Sequence, residues 1–138
     1  MSDPMPTVAR LRNMAVDEAK RALADCLTAE VAATAALRLL DTAIAAETDA
    51  ASASSDGDQA TADFAAWLRR TLVDRTAAAA ALCSAETQSA EARAVLAASR
   101  AAARAMDELM ARREANRLIA ADRTEQAALD ETTRYRRD

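Results

Sequence analysis

The side chains that most often carry out catalysis or bind metals are scarce in this chain. It contains no histidine, the residue that most readily exchanges protons near neutral pH. Its two cysteines, Cys26 and Cys83, are too few for a zinc site when no histidine can join them. Both lie within helical stretches, which predicts small buried side chains in a reducing cytosol. We therefore expect no metal and no cofactor.

Asp107-Glu108 and Asp130-Glu131 are paired carboxylates in the sequence. Adjacent positions of a helix point about 100° apart, so neither pair converges on one substrate atom as glycosidase carboxylates must. Glu108 and Asp130 each lie four residues before an arginine, a spacing typical of solvent-exposed ion pairs. Gly57 is the only glycine, so the chain also lacks a phosphate-binding loop. We predict that the protein is not an enzyme.

A run of arginines around Asn116 is similar to the basic region of leucine-zipper transcription factors. Its spacing is wrong by one residue, and no zipper follows. Four acids would repel the phosphates: Glu114, Asp122, Glu125 and Asp130. With a net charge of -4 the chain has no large basic field, so we predict no nucleic-acid partner. The longest uncharged run, residues 76–85, is about half a membrane span, which predicts no direct membrane insertion.

The composition predicts two long helices. Alanine fills 41 of 138 positions, and it has the highest intrinsic helix propensity. A first helix is predicted over residues 8–51, with Thr7 as its N-cap, and a second over residues 59–137. Residues 52–58 form the only turn-like cluster, in which Gly57 supplies a permissive backbone.

Apolar residues recur in both predicted helices with the seven-residue spacing of a coiled coil. One ladder in the first helix contains Val16, Leu23, Leu37 and Ile44, and another, three positions on, contains Ala19, Cys26, Ala33 and Leu40. The ladder in the second helix contains Leu68, Leu82, Leu96 and Met110. Glu30 and Arg75 interrupt these ladders. The pattern predicts an all-α fold, a single domain over residues 1–138 built as an antiparallel two-helix coiled-coil hairpin with a longer C-terminal helix.

Folding the chain at the predicted turn gives a register between the helices. When the numbers of facing residues sum to about 110, the large apolar residues of the two arms meet: Ile44 and Phe64, Leu40 and Leu68, Leu37 and Leu72, Leu27 and Leu82, Cys26 and Cys83, Met14 and Leu96. The N-terminal end of the first helix, near residue 8, then lies opposite about residue 102. Residues 104–138 are therefore predicted to project as a single helix. A lone helix in water cannot bury the apolar stripe of that segment, which implies a partner protein, self-dimerisation or a fold-back of the tail.

Two stretches of the predicted projection resemble the C-terminal signature of the FliJ family, soluble stalk proteins of the bacterial flagellar type III export apparatus. The first is Met106-Asp-Glu-Leu-Met-Ala-Arg-Arg-Glu-Ala, and the second, from Asp122, contains Glu125-Gln126 and then Leu129-Asp130-Glu131. Chain length, the two-helix plan and the longer second helix are similar too, so the resemblance in architecture covers essentially the whole chain.

The resemblance implies a stalk and escort protein that links the hexameric type III export ATPase to the cytoplasmic domain of the export-gate membrane protein and also handles export chaperones. It implies a cytoplasmic location, peripheral at the inner membrane when assembled. The residues that it suggests for ATPase binding are Met106, Leu109, Met110, Leu118, Ile119, Glu125, Gln126, Leu129, Asp130 and Glu131. Those that it suggests for export-gate binding are Leu40, Phe64, Leu68 and Thr71.

The gate-binding residues have a second interpretation, because the predicted register also places Phe64 and Leu68 in the helix seam. Tyrosines found in some family members are replaced here by Ala43 and Glu47. Other functions stay open as well: the injectisome counterpart of the stalk, a substrate-specific secretion chaperone or helical adaptor, and a structural coiled coil that dimerises through the projecting helix.

Overall fold

The computed structural model describes residues 3–55 and 57–135 as two α-helices packed against each other, with no strand in these ranges. Helix α1 is Met5–Ala53 and has 49 residues, and helix α2 is Asp58–Tyr135 and has 78 residues. The predicted end of the second helix at residue 137, and Asp56 of the predicted turn, lie outside the described residues. The chain divides into two compact units, one of residues up to 17 with residues from 97 onward, the other of residues 18–96.

Helix α1 begins three residues earlier than predicted, because its cap is Asp3 and not Thr7. The backbone N–H of Met5 donates a hydrogen bond to Oδ1 of Asp3 at 3.1 Å. The negative charge of Asp3 is also favourable beside the positive end of the helix dipole. Pro6 fits into this first turn, since the N–H groups of a helix start have no partner within the helix.

The start of α2 does not use the conformational freedom of glycine. The Gly57 carbonyl accepts hydrogen bonds from the N–H groups of Ala60 at 3.1 Å and Thr61 at 3.4 Å, so the chain passes from this residue directly into the helix. Gly57 has no positive φ, and a Cβ built on it would meet nothing within 4 Å. The prediction that this position needs a permissive backbone is therefore wrong. Asp58 places a negative charge in the first turn, where the helix dipole favours it.

Each helix has one stripe of covered side chains, and both stripes follow the predicted ladders. Every ladder position predicted for α1, and the four predicted for α2, is buried or half-buried. Glu30 is half-buried on the α1 stripe, whereas Arg75 is exposed on the α2 stripe. Small buried residues complete the α2 stripe: Thr71, Ala85, Ser89 and Ala103. We call the two stripes together the seam.

The register of the helices differs from the prediction by about one heptad. Arg75 and Asp41 form an ion pair within residues 18–96. In the other unit, Nη1 of Arg113 lies 3.1 Å from Oδ1 of Asp3. The residue numbers of both pairs sum to 116, whereas the predicted pairs sum to 110 or slightly less. Several partners of the predicted pairs are accordingly exposed: Met14, Leu27, Leu72 and Cys83.

The physical reason for the shift is that large side chains pack against small ones. The prediction paired leucine with leucine along most of the first helix. The offset set by Asp41 and Arg75 places Leu37 within one residue of level with Ala78. It places Ala19 within one residue of level with Leu96. Alternating large and small residues across facing positions fills a narrow interface without voids or clashes.

Two polar side chains lie in the seam without satisfying all their hydrogen-bonding capacity. Ser89 is 0% exposed, and its Oγ has no hydrogen-bond partner among the described residues. The same holds for Oε2 of Glu30, which is buried although the residue as a whole is half-buried. An unsatisfied buried polar group costs about 1–3 kcal/mol, so this part of the seam is less stable than an apolar one would be.

Candidate functional site

The last part of α2 is uncovered, and we call its residues 111–135 the tail. Every tail side chain is exposed. The covered stripe extends farther toward the C-terminus than predicted: Ala103 is buried, and Met106 and Met110 are half-buried. The uncovered helix thus begins at residue 111 rather than near 104. Met106 and Met110, both suggested for ATPase binding, lie on the seam.

The apolar side chains of the tail lie on a different face of α2 from the seam. The heptad ladder that runs through Leu96 and Met110 continues at Arg117 and Thr124, so it becomes polar where the cover ends. Leu118 follows Arg117 directly and therefore points about 100° away from that ladder. Leu118 is 51% exposed and Leu129 is 61% exposed. No described residue covers this second apolar face.

Helical spacing sorts the tail residues suggested for ATPase binding into two adjacent groups. Leu118, Glu125 and Leu129 are separated by seven and four residues and share one face. Ile119, Gln126 and Asp130 share the neighbouring face. These three line a shallow groove with Asp122, Arg123 and Ala127. Glu131 lies farther round the helix, and Leu109 is exposed beside the seam.

Ion pairs within α2 join neighbouring exposed side chains around the start of the tail. Arg117 donates two hydrogen bonds to the Glu114 carboxylate, from Nε at 2.9 Å and from Nη2 at 2.7 Å. This hydrogen-bonded contact lowers the pKa of Glu114 and raises the pKa of Arg117. Nη2 of Arg112 lies 3.8 Å from Oε2 of Glu108. Such pairs at three- and four-residue spacing favour the helical conformation of an exposed segment.

The residues suggested for export-gate binding lie close to the connection between the helices. Leu40, Phe64 and Leu68 are half-buried, so each contributes to the seam and still presents part of its surface. Thr71 is buried, and its hydroxyl donates to the carbonyl of Trp67 at 3.0 Å. Thr71 therefore offers little surface to a partner.

Trp67 is a candidate that the sequence reasoning missed. Its ring stacks on that of Phe64, with centroids 6.0 Å apart and planes inclined by 26°. Both rings line a surface groove whose other wall includes Glu47 and Ala51 of α1. The signal in the sequence is that the only tryptophan lies three residues after the only phenylalanine, on the same helix face.

This arrangement of two helices with an uncovered C-terminal tail can be compared with known proteins. A family model described as "Flagellar FliJ protein" matches residues 1–137. The chain belongs to the FliJ family. No curated protein and no solved structure matches it. The resemblance drawn from the C-terminal motifs is thus confirmed at the level of the family, over essentially the whole chain.

Membership of the FliJ family gives the chain a role in flagellar protein export, and the family is a non-enzymatic component of that apparatus. Within residues 3–55 and 57–135, no three histidine, cysteine or acidic side chains are grouped so that they could hold a metal ion. Over the same residues, neither helix has an apolar stretch long enough to cross a bilayer.

Proposed function

We propose that this FliJ-family chain is a cytoplasmic stalk and escort protein of the flagellar export apparatus, folded as an antiparallel coiled-coil hairpin. In this proposal the tail enters the ring of the hexameric export ATPase. The end near Phe64 contacts the cytoplasmic domain of the export gate, next to the inner membrane, and the chain also receives export chaperones.

The observation that carries the proposal is the exposed second apolar face of the tail. The tail has twenty-five residues, so as a helix it is about 38 Å long. Leu118, Ile119 and Leu129 leave large apolar areas in water. Full burial of one such side chain is worth about 1.5–3 kcal/mol, so a partner that covers all three gains substantial binding free energy. The acidic and basic residues between them supply the polar contacts of an interface rim.

A pull-down with the organism's export ATPase tests the tail. The baits are the full chain, a chain truncated after Ala111, the double variant Leu118→Glu/Leu129→Glu, and Ala120→Glu. Ala120→Glu is the control for added negative charge, because it introduces a glutamate at an exposed tail position on the opposite side of the helix. We expect the full chain and the control to retain the ATPase, and the truncated chain and the double variant to lose it.

Truncation after Ala111 keeps Met106 and Met110 on the seam and removes the exposed ion pair of Arg113 with Asp3, which is worth about 0–1 kcal/mol. A loss of binding would therefore not be a trivial effect of unfolding. If the truncated chain binds as well as the full chain, the tail is not the ATPase contact. If no bait binds the ATPase, the stalk proposal is wrong and the helical-adaptor alternative becomes the working hypothesis.

The export-gate contact is tested separately with the soluble cytoplasmic domain of the gate protein. Phe64→Ala removes the ring that stacks on Trp67 and is expected to weaken binding at least tenfold, which corresponds to about 1.4 kcal/mol. Val73→Ala is the control, because Val73 is an exposed apolar residue of α2 outside this ring pair. Equal binding by both variants would remove Phe64 from the contact.

A further inference from the structure

Helix α1 carries a second stripe of residues on the side turned away from α2. The stripe follows the alternating three- and four-residue spacing of a helix interface: Arg21, Ala24, Thr28, Val31, Ala35, Arg38, Thr42, Ala45 and Asp49. All of these residues are exposed, while Ala33 and Leu37 between them are half-buried in the seam. We call this set, with the adjoining Leu39, the outer stripe.

The outer stripe is more apolar than an ordinary solvent-facing helix surface. Val31 is 70% exposed and Leu39 is 72% exposed. Between residues 31 and 46 the only charged residues are Arg38 and Asp41, and Asp41 already pairs with Arg75. A shallow depression runs along the middle of this surface.

The threonine hydroxyls of the outer stripe do not prevent its burial. The hydroxyl of Thr28 donates to the Ala24 carbonyl at 3.0 Å, and that of Thr42 donates to the Arg38 carbonyl at 2.8 Å. Because these donors are satisfied within their own helix, covering the stripe leaves no hydroxyl hydrogen without a partner. The threonine positions of the stripe therefore tolerate a contact with another helix that excludes water.

The outer stripe is complementary to itself when a second copy approaches in the antiparallel direction with Ala35 at the two-fold axis. On one side of the axis Val31 then lies beside Arg38 of the second copy, and on the other side Leu39 lies beside Ala32. In the middle of the contact Thr28 faces Thr42. Ala35, at the axis, faces Ala35 and lets the two backbones approach closely. At each end of the contact Arg21 of one copy faces Asp49 of the other. Within one helix these two residues are about 42 Å apart.

The charges of this segment favour that pairing and no like charges meet in it. Seven charged residues lie between positions 21 and 49 of α1. Under the two-fold operation only Arg21 and Asp49 are placed opposite another charge, and each meets the opposite sign. Within residues 3–55 and 57–135 no ion pair engages either of them, so both are available for a contact between copies.

We propose that the outer stripe of α1 is an interface between two copies of this chain, related by a two-fold axis at Ala35. The contact is isologous, so each copy contributes the same residues twice. It uses neither the tail nor the Phe64–Trp67 pair and is independent of the export role. An alanine-rich stripe buries little area, so we expect a dissociation constant on the order of 10–100 µM.

A charge-reversal set measured by sedimentation equilibrium tests the proposal. Arg21→Glu and Asp49→Arg each place like charges at both ends of the dimer and are expected to weaken dimerisation at least tenfold. The double variant Arg21→Glu/Asp49→Arg restores opposite charges and is expected to return within about threefold of the original protein. The original protein should dimerise over a range of about 5–500 µM.

Cysteine cross-linking tests the position of the axis. In a background with Cys26→Ala and Cys83→Ser, Ala35→Cys should form an intermolecular disulfide with an added oxidant. Ala36→Cys should not, because this exposed neighbour points about 100° away from Ala35. Helix content measured by circular dichroism shows that each variant remains folded.

Three outcomes would overturn the inference. A chain that remains monomeric up to 500 µM has no such interface, because this concentration is about fivefold above the largest dissociation constant expected. A dimer unaffected by the single charge reversals is held by another surface. A dimer lost in Leu118→Glu/Leu129→Glu but kept in Arg21→Glu is held by the tail, whatever other protein the outer stripe then binds.

Discussion

Asp41 of α1 and Arg75 of α2 form an ion pair beside the seam, at a ladder position where an apolar side chain is usual. Their side chains are 46% and 44% exposed, so the pair contributes little stability, about 0–1 kcal/mol. Its value is geometrical, because it identifies which residues are level with each other.

The register defined by this pair predicts a cross-link that the native cysteines do not make. At this offset Cys26 lies within one residue of level with Ser89, and both are on the seam. In a Cys83→Ser background, Ser89→Cys should therefore oxidise to an intramolecular disulfide with Cys26. Gel mobility with and without reductant measures the yield.

Leu82→Cys is the control for this cross-link, in the same Cys83→Ser background. The register with sums near 110 would put Leu82 level with Cys26 or Leu27, whereas the observed offset moves it about one heptad away. Efficient cross-linking through Leu82→Cys, with none through Ser89→Cys, would mean that the observed register is wrong.

The seam should be the main source of stability. Leu96 is 7% exposed, so Leu96→Ala removes a buried side chain and is expected to cost about 2–4 kcal/mol of unfolding free energy. Val95→Ala is the control, because the neighbouring Val95 is 58% exposed and its truncation should change stability by less than about 0.5 kcal/mol. Urea denaturation followed by circular dichroism measures both. Similar losses in the two variants would contradict the assignment of Leu96 to the seam.

Ser89 should be a site where stability can be increased. Its buried hydroxyl has no partner in the described chain, and Ser89→Ala removes the unsatisfied group with almost no change of volume. We expect a gain of about 1 kcal/mol in unfolding free energy. A loss of stability on denaturation in urea would show that the hydroxyl makes a favourable interaction in solution.

The tail should be dispensable for folding. Leu118→Glu changes an exposed side chain that contacts no second helix, so the melting temperature should remain within about 2 °C of the original, in line with small surface effects. Thermal melts of the purified variant and of Leu96→Ala, recorded side by side, provide the comparison. A large drop for Leu118→Glu would mean that the tail packs against another part of the chain.

Glu114 should titrate below the ordinary range for glutamate, because the hydrogen bond from Arg117 stabilises its carboxylate. A lowered pKa in the helical state means that the helix-stabilising contribution is fully present above the ordinary glutamate pKa and is lost as the pH falls through the lowered value. Carbon-13 NMR of the side-chain carboxyl measures the midpoint. In Arg117→Gln the midpoint should move upward, and an unchanged midpoint would contradict the role of this hydrogen bond.

The faces of both helices could be predicted from the sequence, but the register could not. Heptad spacing places Leu23, Leu37 and Leu96 on the seam whatever the register. A slip of seven residues keeps the same side chains on the seam, so periodicity alone does not distinguish the two registers. The two registers differ in how well large residues of one helix pack against small residues of the other, as at Ala19 and Leu96. This packing depends on both helices together, so it cannot be read from the periodicity of either one.

The candidate surfaces could be predicted in part. An exposed tail could be expected because α2, with 78 residues, is longer than α1, with 49. Its first residue was misplaced by the same register error, since a seam one heptad longer also covers Met110. The contribution of Trp67 was missed because a single aromatic pair on one helix produces no periodic signal.

The apolar residues of α2 change to a different helix face after Met110, so substitutions before and after this residue have different consequences. Substitutions on the seam are expected to alter the amount of folded protein, whereas substitutions at Leu118 or Leu129 are expected to leave folding unchanged. If the tail binds the export ATPase as proposed, its sequence can diversify along with that partner without passing through unstable intermediates. Under the same proposal, a mutational screen of protein abundance would record the tail as neutral, and a screen of motility would not.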